Sequence, residues 1–181
     1  MKVFSIALLM VAASLSLAGG HGRQGHNFQN PTPLKGMEYL IGDWAGTQKF
    51  VPAGDGPTEG AATAHISKAI ANRYIEERLS TKIIGRKASD TRHFMIYDSK
   101  AGKYRAWWFN DTAVGPTEFA GDAHGNQIVL ESIPKATGPG PGTTLRATYT
   151  KLSATKYSLK LEVHLEDHWR ELFTTTYKKK G

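Results

Sequence analysis

Beyond residue 41 the chain carries no apolar stripe at helical spacing. It alternates instead between short β-forming runs and breakers rich in Gly, Pro, Asn and Asp. Parallel strands need long crossover connections, usually helices, and this sequence leaves no room for them. Neighbouring strands must therefore join by hairpins, as an antiparallel meander. The runs are 44–51, 61–70, 73–84, 92–97, 103–109, 117–121, 127–132, 145–151, 157–163 and 169–178. Segments 98–102 (DSKAG) and 122–126 (DAHGN) have hairpin-turn chemistry, while 52–60 and 134–142 are longer Gly/Pro breaks. The clearest alternation sets Tyr157, Leu159, Leu161 and Val163 against Ser158, Lys160, Glu162 and His164, which puts the first four on a core. Trp169, Glu171, Phe173, Thr175 and Tyr177 alternate more weakly. Closing such a meander removes its edge strands. The expectation is all-β: an antiparallel up-and-down barrel of about ten strands, wide enough for one small ligand. Leu34, Met37 and Leu40, three apart after two prolines, predict a short helical turn ahead of it.

The first residues read as an export signal. Lys2 precedes an apolar run over 3–13, and Ser16-Leu17-Ala18 offers the small residues that a signal peptidase cuts after. The expected organisation is a signal peptide at 1–18, a flexible leader at 19–33 and a barrel at 34–181, in a periplasmic or secreted protein. The leader's His21 and His26 are read as solvated. The apolar run is too short to span a bilayer, and no later stretch is apolar enough to do so. The chain has no cysteine, which excludes disulfides, thiolate metal sites, lipoprotein anchoring and a cysteine nucleophile. A formal charge of +7 raises the question of nucleic acid. The basic residues are scattered, however, apart from Lys178, Lys179 and Lys180, and nucleic acid is not an expected partner. The expected partner is a small hydrophobic or amphipathic molecule.

The run 40–46 (LIGDWAG) resembles the G-x-W opening of lipocalin-like (calycin) barrels. The resemblance implies that Gly42 and Trp44 form a plug at the closed end, with a late-strand basic residue, Arg170 or Lys178, packed over the indole. A longer order is similar to an uncharacterised bacterial family of exported lipocalin-like barrels, a domain of unknown function. It comprises Gly85-Arg86, Tyr97-Asp98, Lys103-Tyr104, Trp107-Trp108-Phe109, Glu118-Phe119-Ala120-Gly121 and Thr176-Tyr177-Lys178, and the likeness covers 34–180. Two places depart from it: Glu166-Asp167-His168 stands where a D-G-G turn is usual, and Gly60-Ala61-Ala62 replaces a bulkier strand start. The family implies a fold and an export route, and no established chemistry.

Run 103–109 carries the functional expectation. Arg105, Trp107 and Phe109 share one face; Tyr104, Ala106 and Trp108 share the other. With the Arg105 face inward, a cation among aromatic rings would hold an anionic head group, and Glu76 would balance it in the empty state. With the other face inward, the interior is an aromatic core and Arg105 is solvated. Parity leaves both open, and the first is adopted here. The candidate ligand-binding set is Trp44, Arg105, Trp107, Phe109, Phe119, His65 and His93. Glu76 and Glu77 are adjacent, so on a strand they point to opposite faces and form no dyad. His164 and His168 flank a turn with Glu166 and Asp167 and invite a metal reading; the resemblance to nitric-oxide-binding barrels adds haem at His164. His164 lies on the polar face of its run, so neither metal nor haem is expected. The Gly-rich 138–142 lacks the Lys-Ser/Thr ending of a phosphate loop, and no G-x-S-x-G elbow exists. The favoured function is a small-molecule-binding barrel. The alternatives are a cell-envelope scaffold without a ligand and a cavity enzyme using His65 or His93 as base, with Arg105 as anion stabiliser.

Overall fold

A computed structural model of the chain describes residues 34, 36–51, 58–83, 87–111, 113–133 and 143–181. The expected signal peptide and leader lie outside the described residues, as do most of the breaks at 52–60 and 134–142. A 3-10 turn, Glu38–Leu40, precedes ten strands. These are β1 (Gly42–Phe50), β2 (Glu59–Ala69), β3 (Tyr74–Ile83), β4 (Ser89–Asp98) and β5 (Lys103–Asn110), followed by β6 (Thr117–His124), β7 (Gln127–Ser132), β8 (Thr144–Ser153), β9 (Lys156–Leu165) and β10 (His168–Lys179). Each strand pairs antiparallel with the next, and β1 pairs with β10, so the sheet closes into a barrel as expected.

The period of two does most of the positioning. On β9, Tyr157, Leu159, Leu161 and Val163 are buried as the alternation requires. On β2, Ala62, Ala64 and Ile66 face the core while Thr63 and His65 are exposed. Strands approach closely at Gly46 on β1, where a Cβ would meet the Thr176 carbonyl, and at Gly121 on β6. A side chain at Gly121 would run into the Val129 carbonyl across the β6–β7 ladder, so only glycine fits there.

β10 departs from simple alternation. Leu172 is an extra residue between Glu171 and Phe173 in the pairing with β9. A bulge flips parity, so Phe173, Thr175 and Tyr177 pair with Leu161, Leu159 and Tyr157 on the inner face, while Trp169 and Glu171 pair with His164 and Glu162 on the outer one. The single face expected for 169–177 is therefore two faces joined at the bulge.

One end of the barrel is stoppered. Leu34, Met37 and Leu40 are buried, so the predicted apolar face of the 34–40 turn lies on the core. Trp44, 1% exposed, donates its indole N–H to the Leu40 carbonyl at 2.7 Å and meets Tyr157 edge-on at 4.8 Å. The cation over this indole is Lys179, with Nζ 5.5 Å from the ring centroid, and not Arg170 or Lys178. The register explains the correction: Trp44 pairs with Lys179, Lys178 pairs with Ala45, and Arg170 sits at the far end of β10 opposite Val163. Gly42 takes φ +142°, and a Cβ there would stand 2.6 Å from Lys179 Cε, so the glycine clears the path of that lysine.

Candidate functional site

Above the stoppered base, four strands bring a polar cluster to the centre of the barrel. Glu77 on β3 is fully buried and sits in the Ile75-x-Glu77-x-Leu79 alternation that faces inward. Tyr149 on β8 donates its hydroxyl to Glu77 Oε2 at 2.8 Å, and Tyr157 on β9 donates to Oε1 at 3.2 Å. His93 on β4, 2% exposed, places Nδ1 2.9 Å from Oε2 and 3.3 Å from the Tyr149 hydroxyl. A carboxylate only accepts, so its three neighbours are donors and the Nδ1 of His93 carries a hydrogen. Burial, and after it the charge of Glu77, holds the hydroxyls of Tyr149 and Tyr157 far above the ordinary phenol range, which keeps both protonated. Tyr177 is raised by the same two causes and stacks on Tyr157 at 4.7 Å.

His93 is the link between this cluster and a cavity of about 410 Å³ toward the other end of the barrel. Its ring stacks on Trp108 at 3.9 Å, with 7° between the planes. The two rings share the cavity wall with Leu79, Leu159, Leu161, Phe173, Thr175 and Tyr177 and with the polar Gln48, Ser89, Thr91 and Asn110, and Phe50, Thr81, Ile83 and Lys87 complete the lining. Trp108 packs in turn on Phe119, which is fully buried behind it. The volume falls at the small end of the roughly 300–1,000 Å³ typical of ligand pockets. The indole Nε1–H of Trp108 is buried and has no acceptor among the described residues.

The expected site residues are brought together only in part. His93 lines the cavity, Phe119 supports it and Trp44 lies at the stoppered end. Strand β5 turns its Tyr104, Ala106 and Trp108 face inward, which corrects the adopted reading of Arg105, Trp107 and Phe109. The register gives the reason. Trp108 pairs with His93 and Ala106 with both Met95 and Phe119, all buried, whereas Arg105 pairs with Ile96 and Ala120 on the outer face. Outside, Arg105 forms an ion pair with Glu118, not with Glu76, and lies over the Trp107 ring at 5.3 Å. Glu76 is held from the outside by a two-pronged contact with Arg78, at 3.0 and 3.1 Å, and that contact lowers its carboxyl below the usual range. His65 is exposed on the outer face and bonds Asp43 at 2.7 Å, so it has no access to the cavity. His164 rests beside the Trp169 ring at 5.0 Å and His168 Nδ1 lies 3.1 Å from the Glu166 carbonyl oxygen, both exposed.

Sequence reasoning missed Glu77, Tyr149, Tyr157 and Trp108. For Glu77 the signal was present: an acid flanked at two-residue spacing by Ile75 and Leu79 lies on the core face. For the tyrosines, only the closure of the barrel, which brings the β8–β9 pair to the β3–β4 pair, shows that they meet Glu77.

A family model described as "Protein of unknown function (DUF1579)" matches residues 33–179. The chain belongs to this family. The matched residues span the described barrel, and the family name attaches no chemistry to it. No curated protein matches the chain. Among solved structures, the chain is similar to Rv2717c from M. tuberculosis at 14% identity. The match covers 82% of this chain and 97% of that one with a TM-score of 0.62, a likeness of fold alone.

Proposed function

We propose that this DUF1579 protein is an exported barrel that holds one small, partly apolar molecule in the cavity above His93 and Trp108. The supporting observation is the cavity itself: about 410 Å³, lined by Leu, Ile, Phe and Trp side chains together with polar ones, of which Thr175, Tyr177 and His93 are buried. Apolar walls with a few convergent polar groups are the usual composition of a small-molecule site. The outward turn of Arg105 removes the cation on which an anionic head group rested, so the apolar walls now carry the reading. Export rests on the 1–18 pattern, and fractionation of the source cells tests it.

Titration with Nile red, a neutral apolar dye that brightens on leaving water, tests the binding role. Saturable enhancement at one dye per chain is expected. Leu161→Trp fills the cavity and should abolish the enhancement while circular dichroism shows the barrel intact. No saturable binding, or binding indifferent to Leu161→Trp in a folded variant, would overturn the proposal. A second reading, a cavity enzyme, draws on one observation: Glu77 backs His93 as a carboxylate backs the imidazole of a general base. Turnover of a neutral ester that is lost in His93→Ala would support it; turnover surviving that change would remove the base.

A further inference from the structure

The geometry points to the chemical class of the occupant: a neutral amphiphile whose head group carries a hydrogen-bond acceptor beside a donor, as a primary amide does. This rests on the ligand-holding reading above and specifies it.

Two polar groups define the head-group position, and the Thr175 hydroxyl, also buried without a partner among the described residues, lies in the same wall. Trp108 is 7% exposed and lines the cavity, and its Nε1–H has no acceptor among the described residues. An indole N–H can only donate, so the atom that satisfies it must accept. A buried orphan donor costs about 1–3 kcal/mol, and natural cores leave few without cause. The second group is His93, stacked at 3.9 Å on that same indole. Glu77 takes the hydrogen on Nδ1, which leaves Nε2 for an occupant of the cavity; as the neutral tautomer the ring accepts there. No partner for Nε2 occurs among the described residues. A head group that gives one hydrogen to His93 and accepts one from Trp108 satisfies both at once.

Charge decides against the obvious competitor. Fatty carboxylates would fill the same apolar walls. The carboxylate of Glu77 lies directly behind His93, fully buried and held by three donors, and the cation once expected inside stands on the outer face beside Glu118. A ligand carboxylate would bring a second negative charge into a low-dielectric site beside the first. A neutral amide brings none.

Binding of octanamide, N,N-dimethyloctanamide and octanoate at neutral pH tests this, by displacement of bound Nile red. Octanamide should bind about tenfold more tightly than octanoate, one hydrogen-bond-strength step in free energy. The dimethyl amide keeps the acceptor and lacks the donor, so it should fall between them. Trp108→Phe should lower the affinity for octanamide relative to Nile red about fivefold. Should that variant fail to fold, the wild-type indole N–H resonance gives the same answer by NMR: it moves downfield with either amide, and less with octanoate. Octanoate binding as well as octanamide, or a Trp108 N–H resonance unmoved by bound amide, overturns the inference while leaving the ligand-holding reading intact. Absence of Nile red binding in the first place overturns both.

Discussion

The two ends of the barrel are built from the same ten strands and solve opposite problems. At the base, Trp44 is bonded to the Leu40 carbonyl and packed on Tyr157, and Tyr149, Tyr157 and His93 close three hydrogen bonds on Glu77. At the mouth, the same strands line about 410 Å³ with apolar and polar side chains, and the Trp108 N–H is unmatched among the described residues. The base is filled, although the Tyr39 hydroxyl on its 3-10 turn also lacks a partner among the described residues, and the mouth leaves space as well as an unmatched donor. His93 stands where the two meet and belongs to both. The lesson is that the buried Glu77 in this barrel is a structural member first, and meets the cavity only through the imidazole in front of it.

Substitutions that separate the two ends can break this contrast. Glu77→Ala removes the one acceptor shared by three buried donors and should cost about 3–5 kcal/mol in denaturant unfolding. Leu161→Ala enlarges a space that already exists, so it should cost about 2 kcal/mol, the low end for such truncations. The reverse order would show that the mouth, and not the base, holds the fold together. Tyr157→Phe keeps the stack on Tyr177 and the edge contact with Trp44 but drops one bond to Glu77; about 1 kcal/mol is expected.

The same tyrosines give a pH signature. Their folded-state values are raised, so the stability they contribute is complete below the ordinary phenol value of about 10 and is lost as pH rises toward the folded value. Ultraviolet titration should show Tyr149 and Tyr157 ionising only as the barrel unfolds, and early ionisation would mean that the base is wet. The smallest effect belongs to the outer wall. Arg105→Ala breaks a part-exposed ion pair and should change stability by less than about 1 kcal/mol, with Nile red binding unaltered. A large loss of binding there would return Arg105 to the site.

The fold was readable because closure follows from local rules. Hairpin chemistry at 98–102 and 122–126 and the alternation of 157–163 each specify a neighbour in sequence, and a meander needs only neighbours. The site was less readable because it needs pairs that are distant in sequence. Strand β5 carries bulky apolar residues on both faces, so periodicity could not orient it, and the deciding partners, His93 and Phe119, lie on other strands. The bulge at Leu172 was invisible for a related reason: one extra residue exists only relative to β9. Arg170 was misplaced through distance along β10, since the indole at the start of β1 meets the end of the last strand. Glu77 was a failure of a different kind. Its adjacency to Glu76 was weighed as a possible dyad, when the informative fact was an acid among inward-facing apolar residues.

Chemical-shift mapping of the backbone and indole amides during Nile red titration is the most direct test of a mouth that binds above a base that holds. Shifts should concentrate at Gln48, Leu79, His93, Trp108, Leu161 and Thr175, and leave the Trp44 indole N–H and the amides of Lys103, Arg105 and Trp107 in place. Saturable shifts confined to the outer face, or none at the mouth, would contradict it.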